Sequence, residues 1–279
     1  MGEPVHFVGL DNEAFVKEAL SIIEKAQAHR ACLRILGALA VYVHSLDNSE
    51  CINALKTLGR LGYEKPMFTD LDLIAYRRQS KDIAKAFQEL GFKPNNMLNW
   101  WFGDRMMIYN HPENKYHVDV FFDNLAYSHD VKFGDKPGSG RLELDYPTIA
   151  LEDIVLEKLQ PHEMNRKDAV DLIVLLMGHD VNERLGKNVV DGGHVARILS
   201  DDWGFWYDAT TNLDKVVSLA REFSSQGKLT ASQCDTVLRR AGELRRIIDG
   251  TPKTKEWNKR AKMGTTKPWF RPVPELMPS

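Results

Sequence analysis

Apolar residues recur at helical spacing through residues 12–28, where Phe15, Val16, Ala19, Leu20, Ile23 and Ala26 fall on one stripe and Asn12 can cap the helix. "CLRILG" (32–37) reads as a short buried strand ending at Gly37, and "ALAVYVHSL" behind it starts a second helix. Ile52, Leu55 and Leu58 mark a third helix that stops near Gly59 or Gly62. "FTDLDLIAY" (68–76) alternates as a strand does. Ser80 is placed to cap a helix with Ile83, Ala84, Phe87 and Leu90 on its buried face and Gly91 at its end. "RMMIYN" and "YHVDVFF", separated by the turn-forming "HPENK", predict an antiparallel hairpin. After the loop "DKPGSG" and a short strand "RLELD", Thr148 is the expected cap of a helix over "IALEDIVLEKLQ". From 148 to 249 the pattern is helical almost throughout, notably over 163–178, 213–225 and 231–248.

This order predicts an α/β (α+β) protein: a mixed β-sheet core with flanking helices over 1–147, a helical subdomain over 148–250, and a basic, proline-containing tail of little regular structure over 251–279. Hydrophobic residues at 43% and charged residues at 27% place the chain among globular proteins rather than disordered or fibrous ones. With 37 Lys+Arg against 39 Asp+Glu, the chain as a whole has no basic field that would declare nucleic-acid binding. Cys32, Cys51 and Cys234 are odd in number and widely spaced, which supports neither a disulfide framework nor a zinc site. With no signal-peptide pattern and no apolar run of membrane-spanning length, a reducing, cytoplasmic setting is expected, with no membrane partner.

The chemistry concentrates in carboxylates. Side chains alternate along a strand, so Asp70 and Asp72 share one face about 7 Å apart, where they repel each other unless solvated or bridged by a cation. Mg²⁺ suits such a pair, because it takes one or two carboxylates together with phosphate oxygens. Asp119, flanked by Val118 and Val120 in "YHVDVFF", becomes a third ligand if its strand pairs with the first, and it could then also take a proton from a hydroxyl. His117 shares its face and is expected to contact substrate or a neighbouring carboxylate. Without such pairing, Asp70 and Asp72 read as a solvated strand end. In the later helices, Lys158 lies at the edge of an apolar stripe, either snorkelling or reaching into a cleft. Arg166, Asp168 and Asp171 read as an ion-pair cluster at the start of a buried helix.

Four segments in order, "RILGALAVYVHS", "FTDLDLIAY", "YHVDVFF" and "LEDIVLEKLQPHEMNRKDAVDL", resemble the nucleotidyltransferase superfamily of the polymerase-beta type, over roughly residues 30–178. The resemblance is to its bacterial abortive-infection toxin-like members and, more distantly, to aminoglycoside nucleotidyltransferases. It implies a nucleotidyltransferase core in which Asp70, Asp72 and Asp119 bind Mg²⁺ or Mn²⁺, and Lys158 meets the phosphates of an NTP such as ATP. Arg166, Asp168 and Asp171 would then position or support the site. Gly37 and Ala38 stand at the phosphate-binding turn, where Ala38 replaces the family's usual hydroxyl or second glycine; backbone N–H groups and Thr69 or Ser45 would have to compensate.

The implied reaction moves a nucleoside monophosphate from the NTP to a hydroxyl on a small molecule, a protein or an RNA end, releasing pyrophosphate. The alternative is a weak or inactive nucleotide-binding or interaction module of the same fold, acting with a protein partner as in two-component toxin–antitoxin systems. Arg239, Arg240, Arg245 and Arg246 with the basic tail are either a polyanion contact or a solvated helix face, and "DDWGFWYD" (201–208) either lines a cleft or packs between helices.

Overall fold

The computed structural model describes residues 10–60, 67–184 and 186–272. In chain order the first elements are α1 (Asn12–Ala28), β1 (Leu33–Ile35), α2 (Gly37–Ser45), α3 (Ser49–Thr57), β2 (Asp70–Ala75), α4 (Ser80–Glu89), β3 (Lys93–Pro94), α5 (Asn96–Phe102), β4 (Met106–Asn110), β5 (His117–Phe122), β6 (Asn124–Ala126) and β7 (Asp130–Lys132). There follow α6 (Leu151–Leu159), α7 (Arg166–Gly178), β8 (Asp180–Asn182), β9 (Val189–Asp191), α8 (Gly192–Asp201), α9 (Trp203–Ser225), α10 (Ala231–Gly250) and α11 (Lys255–Ala261). The described residues fall into two compact units, one drawn from 1–43, 61–124 and 132–150, the other from 44–60, 125–131 and 151–279. The chain is thus a mixed α/β protein with a mixed sheet. No helix among the described residues is long and apolar enough to cross a membrane.

The first unit is built on a five-stranded sheet in the order β1-β2-β5-β4-β3. Strand β2 runs parallel to β5, and the other pairs are antiparallel. The expected hairpin is present as β4 and β5. Along the two central strands Leu71, Leu73, Val118 and Val120 are fully buried, while Asp70, Asp72, His117 and Asp119 occupy the alternate positions. Helix α1 packs on α4 and β1 through Phe15, Ala19, Ile22, Ile23 and Ala26.

Several local expectations give way to tertiary contacts. Asp11, rather than Asn12, caps α1 by accepting from the Ala14 N–H at 2.8 Å. Ser80 makes no cap, because a 3₁₀ turn over Arg77–Gln79 leads directly into α4. "RLELD" is not a strand; Tyr76 Oη accepts the Leu142 N–H and donates to Glu143 at 2.6 Å, which folds the segment into turns. Thr148 does not cap α6: residues 147–149 pair along β1, with Ile35 N–H donating to Pro147 O and Ile149 N–H to Ile35 O, each at 3.0 Å. Gly62, one expected stop of α3, and the prolines beyond Pro272 lie outside the described residues.

The second unit is mostly helical; β8 and β9 form a short parallel pair in the connection between α7 and α8, and most of the two-stranded β6-β7 sheet also belongs to it. Arg240 donates to the carbonyls of Leu176 and Met177 at the end of α7 and pairs with Asp180, which satisfies acceptors that a helix terminus leaves open. Within the described part of the tail, residues 251–272, several side chains are tied down. Thr254 caps α11, the Trp269 indole N–H donates to Asp208 at 2.9 Å, and Arg271 forks onto Asp130 at 3.0 and 3.1 Å. Trp203 and Phe205 are buried at the start of α9, so this aromatic stretch packs.

Candidate functional site

The register of β2 and β5 assembles the acidic face. Asp70 lies opposite His117, and Asp72 opposite Asp119. Paired residues on adjacent strands are neighbours at about 5 Å, so one carboxylate pair crosses the strands and Asp70 stands one step further along the same face. Asp70 accepts from the Thr69 hydroxyl at 3.1 Å, and His117 Nε2 is 4.0 Å from its other oxygen. Asp119 is partly buried. Its Oδ1 is shielded from solvent and has no hydrogen-bond partner among the described residues. Burial pushes its carboxyl up to about 6; His117 opposes the rise and the Asp70 charge adds to it.

Gly37 closes the other side of Asp72. The Leu36 N–H donates to the Asp72 carbonyl at 3.1 Å, which brings the turn between β1 and α2 against the acidic strand. Gly37 has φ +70°, and a methyl group there would come within 2.8 Å of Asp72 Oδ2. Both backbone conformation and space therefore require glycine. Ala38 is half-buried at the second position of α2, on the same turn. Gly37→Ala is expected to destabilise the protein by about 1–2 kcal/mol from the left-handed backbone alone, with further displacement of the Asp72 carboxylate. Urea unfolding of the variant measures the first effect, and an unchanged midpoint would show that the turn relaxes freely.

Among the described residues, no three His, Cys, Asp or Glu side chains gather closely enough to hold a metal ion by themselves. The donor set still suits a hard cation of small protein demand: Asp72 and Asp119 offer carboxylate oxygens side by side, and Asp119 Oδ1 is buried with no donor turned toward it among the described residues.

Lys158, Arg166, Asp168 and Asp171 belong to the second unit. The Lys158 ammonium lies 2.9 Å from Asp168, 3.1 Å from Asp171 and 3.6 Å from Glu157, and Arg60 Nε donates to Asp171 at 2.7 Å. Lys158 and Asp171 are buried. Burial works against the lysine charge, but the Asp168, Asp171 and Glu157 carboxylates outweigh it and hold the pKa well above the ordinary lysine value. Arg166 stands outside this cluster, its guanidinium 4.8 Å above the Phe223 ring. Asp168 and Asp171 are thus ion-paired by Lys158 and Arg60 rather than by Arg166. Arg60 was not foreseeable, since it stands 111 positions before its partner.

The arginines of α10 are likewise engaged within the chain. Arg239 and Arg240 pair with Asp180, Arg245 with Asp214 and Asp249, and Arg246 with Glu183 and Glu243. No family model, curated protein or solved structure matches this chain.

Proposed function

We propose that the first unit is a metal-dependent nucleotidyltransferase, transferring a nucleoside monophosphate from an NTP to a hydroxyl group. The observation that carries the reading is the pairing of Asp72 with Asp119 across parallel strands, with the Gly37 turn against Asp72 and the buried Asp119 Oδ1 without a hydrogen-bond partner among the described residues. Asp72 and Asp119, with Asp70 beside them, would hold Mg²⁺ or Mn²⁺. When bound, the cation supplies neutralisation of the phosphate charge that would otherwise repel this acidic face. The Gly37 turn leaves backbone, not side chain, at the start of α2, where N–H groups can meet phosphate oxygens.

In the reaction the acceptor oxygen forms a bond to the α-phosphorus. The bond from that phosphorus to the bridging oxygen breaks, pyrophosphate leaves with the electron pair, and the acceptor proton passes to Asp119. Thr69 and His117 set the orientation of Asp70. Lys158, Asp168 and Asp171 serve the packing of the second unit in this reading.

The test is pyrophosphate release from each NTP with Mg²⁺ or Mn²⁺ and a mixed acceptor pool. Asp72→Asn is expected to lower the rate at least a hundredfold, with circular dichroism and the melting temperature checking that the variant stays folded. NTP binding without turnover in any acceptor pool would favour the non-catalytic binding module instead.

A further inference from the structure

The register of the sheet carries the acidic face beyond the three carboxylates. Residues paired on neighbouring strands point to the same side of a sheet. Asp70 lies opposite His117, His117 opposite Asn110, and Asn110 opposite Lys93, so β2, β5, β4 and β3 lay one row across the sheet. The row beside it runs from Asp72 through Asp119 to Ile108. Lys93 therefore stands on the same face as the three acids, two strand spacings or roughly 10 Å from His117 at the backbone. It is exposed and Asn110 is half-buried, and neither side chain has a hydrogen-bond or ionic partner among the described residues.

The floor of this part of the face is held in place. Ile108 is buried, and at the outer edge of β4 the Asn99 side chain accepts from its N–H at 2.7 Å and donates to its carbonyl at 3.1 Å. The Asn95 N–H donates to the same carbonyl at 2.9 Å, so β4 stays tied down where β3 ends.

The two flanks of the acids offer different things to a substrate. On the β1 flank the Gly37 turn brings bare backbone against Asp72, which suits the phosphates of an NTP. In an in-line transfer the acceptor oxygen enters opposite the departing pyrophosphate, which is the β4 flank, over Asp119. The rest of the acceptor then extends across Ile108 and Asn110 toward Lys93. Carboxylates repel a negative group at their own end and a single cation at the far edge attracts it, so the charges orient such a molecule. The Asn110 amide both donates and accepts, which suits a hydroxyl lying between. One lysine matches one anionic group, whereas a polynucleotide backbone is held by a series of cations.

We infer that Lys93 and Asn110 form the acceptor subsite, and that the acceptor is a small polyhydroxy molecule carrying one phosphate or carboxylate group. The inference rests on the nucleotidyl-transfer reading of the Asp70, Asp72 and Asp119 face. The test uses the full-length protein with Mg²⁺ and three probes: glucose, its phosphate ester at the primary hydroxyl, and glucuronate. Calorimetry is expected to show at least one charged sugar binding at least tenfold more tightly than glucose, and the stronger of the two assigns the anion as phosphate or carboxylate. Lys93→Gln should abolish this preference with the melting temperature and glucose affinity unchanged, and Lys93→Arg should keep most of it. Lys81→Gln, which removes an exposed lysine from α4, should leave it intact. The preference should also survive Asp72→Asn, which separates it from a phosphate seated on the metal.

Equal affinity for the three probes, no binding of any, or a preference that persists in Lys93→Gln overturns the inference. So does nucleotidyl transfer that runs as well to neutral or cationic acceptors as to anionic ones. Binding of a charged sugar through Lys93, without Mg-NTP binding or pyrophosphate release, would instead remove the transfer reading on which the inference rests.

Discussion

Replacing Asp119 with Asn is expected to make the protein more stable near neutral pH while removing nucleotidyl transfer. In the unfolded chain this carboxyl loses its proton near the ordinary value of 3.8, whereas in the fold it is pushed up to about 6. Between those values the unfolded state binds fewer protons, so unfolding becomes more favourable as pH rises, and the penalty is complete above about pH 6. The difference between those two values corresponds to about 3 kcal/mol. Asparagine has the same shape without the charge, so Asp119→Asn should gain about 2–3 kcal/mol at pH 7.5 and almost nothing at pH 4. Urea unfolding at the two pH values measures the difference. A gain independent of pH would mean that the burial cost of the carboxylate is not its source. Adding Mg²⁺ should stabilise the wild type and not the variant, a readout that needs no turnover.

The second large effect is expected at Lys158. Lys158→Met keeps the volume and removes the cation that Asp168 and Asp171 share, leaving Asp171 with Arg60 and the largely enclosed Asp168 carboxylate without its cation. Removing one partner of a buried ion pair costs about 3–5 kcal/mol, and chemical denaturation should show a loss in that range. The pKa of this lysine is raised in the fold, so its stabilising contribution is present throughout the neutral range and is lost only as pH climbs through the raised value. The deficit of the variant should accordingly be flat from pH 6 to 9. Adding Asp168→Asn and Asp171→Asn to Lys158→Met should recover much of it. Unchanged stability with weakened ATP binding would assign Lys158 to phosphate recognition instead.

The legibility of this chain in its sequence follows the range of the forces involved. Alternation in "FTDLDLIAY" and "YHVDVFF" announces β2 and β5 because a half-buried strand must present its apolar side chains two apart. Helices α1 and α4 are equally evident from their stripes. Cap positions are less so: Asp11 and Asn12 are both capable, and only the backbone path selects Asp11. "RLELD" alternates as a strand does, yet the Tyr76 hydroxyl bonds to Leu142 and Glu143 and the segment forms turns. Helix α5 is too short to show an apolar stripe, and the Asn99 bonds to Ile108 that hold it against β4 are visible only in three dimensions.

What the sequence determined by itself is the set of local periodicities and the spacing that puts Asp70 and Asp72 on one strand face. Only the tertiary structure decided that β5 lies parallel to β2 with Asp119 opposite Asp72, that Gly37 abuts the Asp72 carboxylate, and that Arg60 completes the Lys158 cluster. The physical reason is that side-chain periodicity is a property of a few neighbouring residues. Strand partners, registers and buried ion pairs are chosen by the burial and hydrogen bonding of segments tens of residues apart.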